Sequence, residues 1–202
     1  VPTARSAGSL ATLSGVFARI CLTLLCATVL LPAVADAKTV KGCKIKPRTQ
    51  CSGKKLDGAK LNNSSLSNAN FYRAHLNHVQ LRSSNLAGAN FNKAELYMAD
   101  VRGSNFEKTD LAYANLTYIA ASNTRFRYSR LLKADLYKAD LYKADLRDTD
   151  MRYAKLGNAN LNGADLENAN LQKADLCGAN LTNANFSNAD LTGAKCAPAD
   201  AG

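Results

Sequence analysis

Residues 133–146 read KADLYKADLYKADL, the same five residues almost three times over. An α-helix advances about 100° per residue, so leucines five apart wander round its surface and form no stripe. In a plain strand side chains alternate, which would send Leu136 and Leu141 to opposite faces. The structural unit is therefore five residues long. Stepping by five from Leu136 in both directions meets an apolar residue at every stop from Leu56 to Cys196. Nearly all are Leu or Phe, with Val101, Ala121, Met151 and Cys196 as the variants, and two residues before each stop stands mostly Ala, Ser or Thr. A period held over this length sets the architecture and assigns the stops to the core.

The pattern A(D/N)LXX, as in Asp165-Leu166 or Asn170-Leu171, resembles the pentapeptide-repeat family over residues 54–198. The resemblance implies an all-β fold, a right-handed quadrilateral β-helix in which one pentapeptide forms one side and four sides close a coil. That solenoid would have about seven coils and, at a strand spacing of about 4.8 Å, a length of roughly 35 Å. Each central Leu or Phe would point inward, the small residue two before it would fill an inner corner, and the other three would face solvent. Residues twenty apart then stack, which puts Phe71 under Phe91 and Phe106 under Phe126. The small centre Ala121 is matched by a large corner residue, Ile119, so core volume is kept.

Residues 1–37 read differently. Arg5 and Arg19 precede the apolar run Ile20–Leu31, Pro32 interrupts it, and Ala35-Asp36-Ala37 follows. That is the pattern of a secretory signal peptide, and the run falls short of the roughly 18 residues a membrane span needs. Leu25 stands before Cys26, where a lipoprotein needs a small residue. Cleavage after Ala37 and a periplasmic or secreted mature chain are expected. The layout is then a leader over 1–37, a basic cysteine-containing cap over 38–53, the repeat body over 54–198 and a tail over 199–202.

Cys21 and Cys26 leave with the leader. The remaining Cys43, Cys51, Cys177 and Cys196 are even in number in an oxidising compartment, which predicts disulfides rather than a metal site. A Cys43–Cys51 bond would pin the cap. Cys177 and Cys196 lie close to one coil apart, but Cys196 falls on an inward position and Cys177 on an outward one. Their bonding requires the last turn to fray or rotate.

The formal charge of +10 is unevenly spread. Residues 38–60 hold Lys38, Lys41, Lys44, Lys46, Arg48, Lys54, Lys55 and Lys60 against Asp57 alone, a net +7. The column Asp135, Lys155, Asp175, Lys195 alternates sign at one-coil steps and reads as ladder pairs. The column Arg73, Lys93, Tyr113, Lys133, Tyr153, Lys173 resembles a basic, aromatic-interleaved stripe. Glu95, Asp135 and Asp175 lie two residues beyond three of its lysines, however, and it reads as solvated surface. The segment RFRYSR, residues 125–130, places Arg just before two centres and has no acid between Asp110 and Asp135. Local rule-breaking is where function tends to sit. Arg125, Arg127, Tyr128, Arg130 and Lys133 are therefore the candidate binding surface.

A rod filled with Leu and Phe has no cleft for a catalytic constellation. The sequence offers no nucleophile with a base, no phosphate loop and no metal-ligand spacing, and His75 and His78 are an isolated pair. No enzymatic activity, metal or cofactor is expected. The best-known branch of the family resembles duplex DNA in shape and negative charge and protects gyrase by occupying its DNA site. This chain is basic, carries an export pattern, and has in APADAG no helix of the kind through which those proteins dimerise; a DNA mimic is not expected, and a monomer is. Charge alone would allow nucleic-acid binding, but export argues against that partner. The reading is an exported interaction scaffold whose basic cap and arginine coil meet an anionic partner: a membrane surface, an envelope polysaccharide or an acidic protein. The alternative is a structural rod whose charge serves solubility.

Overall fold

The computed structural model describes residues 38–198; the expected leader over 1–37 and tail over 199–202 lie outside the described residues. Each pentapeptide from Cys51 to Leu176 buries its central residue and turns a corner with the next two, while the centres of the last coil are partly buried. The amide three residues on returns to the central carbonyl, as from Ala59 N to Leu56 O at 2.9 Å. The second turn residue has a φ between 52° and 75° at every repeat from Gly53 to Gly193, as type II turns require. Where Asn or Asp precedes a centre it has a specific task. Asn90 Oδ1 accepts from Asn92 N at 2.9 Å, and Asp110 Oδ1 accepts from Ala112 N at 3.0 Å. They satisfy the turn amide that the backbone ladder does not use.

Four corners close a coil of twenty residues. Parallel bridges join residues twenty apart without a break from Gln50↔Asn70 to Asp175↔Lys195. Two ladder bonds make each bridge, as in Leu56 N to His75 O at 2.7 Å and His75 N to Lys54 O at 2.9 Å, and a third ties the corner, as in Gly58 N to Asn77 O at 2.8 Å. Parallel pairing needs a long crossover, and here the other three sides supply it. The interior is filled accordingly: Leu136, Leu141 and Leu146 are at most 1% exposed, and Ile119 and Ala121 are both fully buried. Phe71 stacks on Phe91 with centroids 5.0 Å apart, and the aromatic file continues through Phe106 to Phe126 at 5.4 Å steps. The polar corners are satisfied too, with Ser84 Oγ donating to Leu61 O at 2.8 Å and Thr124 Oγ1 to Val101 O at 2.9 Å.

Both ends depart from what the sequence predicts, the first in its starting point and the last in its register. Gln50 is already bridged to Asn70 and Cys51 is a fully buried centre, so the coil starts one pentapeptide before residue 54. Strands β1 (Thr39–Val40) and β2 (Cys43–Lys44) form an antiparallel hairpin. It brings Cys43 to Cys51, Cα atoms 5.6 Å apart, and the buried disulfide closes the interior of the first coil. At the other end Cys196 leaves the inward position. It is exposed, with φ 52°, and forms a disulfide with Cys177, Cα atoms 5.0 Å apart. Because Cys177 points outward, the centre has to rotate out to reach it. Among the described residues no helix is long and apolar enough to cross a membrane.

Candidate functional site

The arginine coil is not an unopposed positive patch. Arg125 Nε lies 3.5 Å from Glu107 Oε1, Arg127 Nε 3.2 Å from Asp148 Oδ2, and Arg130 Nη1 3.5 Å from Asp110 Oδ1. The acids missing from the sequence neighbourhood arrive from the coils on either side. Arg127 also lies 4.7 Å over Tyr128. The structure thus brings Arg125, Arg127, Tyr128 and Arg130 together as a charge-balanced belt, while Lys133 stands apart at the next corner.

Neighbouring pairs are tighter. Arg147 grips Asp145 through Nε and Nη2 at 2.8 and 2.6 Å, and Arg152 grips Asp150 at 2.7 and 2.9 Å. Those guanidinium groups hold the Asp145 and Asp150 carboxyls below the usual range, and Arg102 with Arg82 does the same to Asp100.

Beyond residue 60 a positional rule separates the cations. All those in ion pairs stand before a centre or just after it, such as Arg125, Arg127 and Lys155. Arg73, Lys93, Lys108, Lys133, Lys138, Lys143 and Lys173 occupy the positive-φ corner instead, and among the described residues none is in an ion pair. Most acids stand before a centre, as Glu95, Asp135 and Asp175 do, and a side chain leaving the corner diverges from them. The acids expected to blunt Lys93, Lys133 and Lys173 are held within their own column. His75 meets Glu95 at 2.8 Å, Lys155 meets Asp135 at 3.3 Å and Lys195 meets Asp175 at 3.9 Å.

The corner lysines lie on tyrosine. Lys93 and Lys133 Nζ sit 6.0 and 5.8 Å from the Tyr113 ring centroid, and Lys133 and Lys173 each sit 5.5 Å from that of Tyr153. Bulky side chains in left-handed backbone cost about 1–2 kcal/mol each, and exposed cation–π contacts offset about 0.5–1 kcal/mol. This edge borders the side centred on Leu136 and Leu156, called the first side below. Along the opposite edge of that side run His78, Tyr97, Tyr118 and Tyr137, ring centroids 5.6, 5.9 and 6.2 Å apart, with Lys138 Nζ 5.4 Å from Tyr137. Sequence reading ranked this surface below the arginine coil because it weighed acids by closeness along the chain. Applying the twenty-residue stack to the acids finds it.

The cap is the other exposed positive region. None of the eight cations of residues 38–60, the cap and the repeats adjoining it, is in an ion pair among the described residues. Lys41 Nζ donates to the Asp57 backbone carbonyl. His75 and His78 point to different partners, Glu95 and Tyr97, and no group of three or more metal-ligating side chains occurs among the described residues.

The sequence matches the family described as Pentapeptide repeats in eight copies, in overlapping segments running from 49–86 to 159–195. No curated protein matches it. Among solved structures, trypsin-treated QnrB1, a plasmid-mediated fluoroquinolone resistance protein, is similar at a TM-score of 0.58 and 21% identity, over 74% of this chain and 73% of that one. HetL, a pentapeptide repeat protein involved in heterocyst differentiation regulation from the cyanobacterium Nostoc sp. strain PCC 7120, gives 0.33 and 25%, over 74% and 88%. A pentapeptide repeat protein from the Arabidopsis thaliana thylakoid lumen gives 0.25 and 31%, over 46% and 65%. The shared fold is the right-handed β-helix.

Proposed function

We propose, given that the chain belongs to the pentapeptide-repeat family, that its mature form is an exported, non-enzymatic scaffold holding an anionic partner through its basic N-terminal cap. The observation that carries this is the charge of the cap and the repeats adjoining it, residues 38–60: eight cations against Asp57, none in an ion pair among the described residues. The leader pattern over residues 1–37 and the two disulfides support export. The arginines of 125–130 are engaged by acids, so the contact is assigned to the cap. A solid core supports a surface role rather than catalysis.

The test is sedimentation of the purified chain with phosphatidylglycerol vesicles. The Debye length shrinks from about 30 Å at 0.01 M salt to about 8 Å at 0.15 M, so binding should fall steeply across that range. Lys41→Gln, Lys44→Gln, Lys46→Gln and Arg48→Gln together should weaken it. Absence of binding at low salt leaves a structural rod whose charge serves solubility.

A further inference from the structure

We infer that the corner edge of the first side binds a linear acidic polysaccharide carrying one carboxylate per disaccharide, laid parallel to the coil axis along Lys93, Lys133 and Lys173. The inference rests on reading the chain as a scaffold for anionic partners, and it gives that partner a chemistry.

Spacing is the first argument. Lys93, Lys133 and Lys173 stand at every second coil of one column, about 10 Å apart at a strand spacing of about 4.8 Å, and Tyr113 and Tyr153 occupy the coils between. Duplex DNA presents a phosphate about every 3.4 Å along each strand, so most of its charges would fall opposite tyrosine. A glycan charged on every sugar has the same mismatch at half its carboxylates. A chain alternating uronate with neutral sugar repeats its charge at close to two coil spacings. It then lays each neutral ring against the exposed part of a tyrosine held between two lysines, Tyr113 being 47% and Tyr153 44% exposed.

The second argument is a recess on the same first side, across from the lysine edge. A notch of about 340 Å³ is floored by Gly157 and walled by Tyr137, with Asp135, Lys155, Asn158 and Asp175 around it. Tyr97, Thr117 and Tyr137 occupy the equivalent position on the preceding coils, and glycine interrupts that file. A Cβ at Gly157 would stand 3.2 Å from Tyr137 Cδ2, so any side chain there would push the ring away. An aromatic wall ringed by donors and acceptors is the chemistry of a sugar-ring site. Thirdly, the edge keeps Arg, Lys or Tyr at six consecutive left-handed positions from Arg73 to Lys173, where Asn or Gly would relieve strain. Strain retained by bulky side chains points to their use.

The experiment is titration calorimetry of the purified chain at 0.15 M salt with a hyaluronan octasaccharide, an oligogalacturonate with the same number of carboxylates, a neutral chitin oligosaccharide and a single-stranded DNA oligonucleotide. Hyaluronan should bind about tenfold tighter than the other three. The Lys93→Gln/Lys133→Gln/Lys173→Gln variant should lose that binding while still sedimenting with phosphatidylglycerol vesicles through the cap at low salt. The Tyr113→Asn/Tyr153→Asn variant should lose the preference for hyaluronan over oligogalacturonate. Equal or tighter binding of DNA or oligogalacturonate by the parent overturns the inference, as does a lysine variant that binds hyaluronan like the parent; vesicle binding then leaves the cap reading standing. If the parent binds neither hyaluronan nor vesicles, both readings fail.

Discussion

Arg127 Nε lies 3.2 Å from Asp148 Oδ2, although twenty-one residues separate the two along the chain. The contact follows from the coil length: a side chain's neighbours are about twenty residues away in either direction, so local charge counts mislead. Replacing Arg125, Arg127 and Arg130 together by Gln should remove three half-exposed ion pairs worth about 0.2–1 kcal/mol each. The expected outcome is a melting temperature lower by a few degrees and vesicle binding at the parental level. Strongly reduced binding with unchanged melting would return the contact to the arginine coil.

Leu141 is fully buried between coils that present Ala121 and Leu161 to it in the same column. Leu141→Ala should cost about 2–5 kcal/mol. Leu141→Asp, which buries an unpaired charge, should abolish the cooperative melt. Circular dichroism melts check both, and an Asp variant melting like the parent would remove the register.

Met98 occupies a left-handed corner, φ 53°, and is 44% exposed. Met98→Asn should stabilise by roughly 1 kcal/mol, since asparagine tolerates that backbone. Thermal melting should rise by about 2–4 °C.

Asp100, Asp145 and Asp150 are held below the ordinary carboxylate range in the folded state by their arginine partners. In the unfolded chain they titrate near about 3.9. Above that value both states are ionised and the stabilisation is complete. Below it the unfolded state takes up protons first, and stability falls as pH drops toward the depressed folded values. Melting temperature should therefore be level between about pH 5 and 8 and decline below about pH 4. Asp100→Asn/Asp145→Asn/Asp150→Asn should flatten that decline.

The disulfides give a chemical check on export. A mature chain starting within two residues of Lys38 should show no free thiol after denaturation without reductant, whereas a chain retaining its leader should show Cys21 and Cys26. N-terminal sequencing decides the same point. Cys43→Ser/Cys51→Ser should lower stability by roughly 2–3 kcal/mol for so short a loop.

The period of five was legible in KADLYKADLYKADL, and with it the inward set from Leu56 to Leu191, the Phe71–Phe91 stack and the Asp135–Lys155 pair. These depend only on which residues share a column, and columns follow from counting. Three features required the fold in space. Cys51 continues the count one stop before Leu56, but only the fold shows the hairpin bringing Cys43 to it, and Cys196 ceases to be a centre because its disulfide partner points outward. The ranking of the charged surfaces was also decided there. Backbone dihedrals set it: positions flanking a centre lie within reach of acids on adjacent coils, whereas the positive-φ corner directs Lys93, Lys133 and Lys173 past those acids and onto tyrosine. Counting residues finds the column, but the direction in which a side chain leaves its corner exists only in the folded coil.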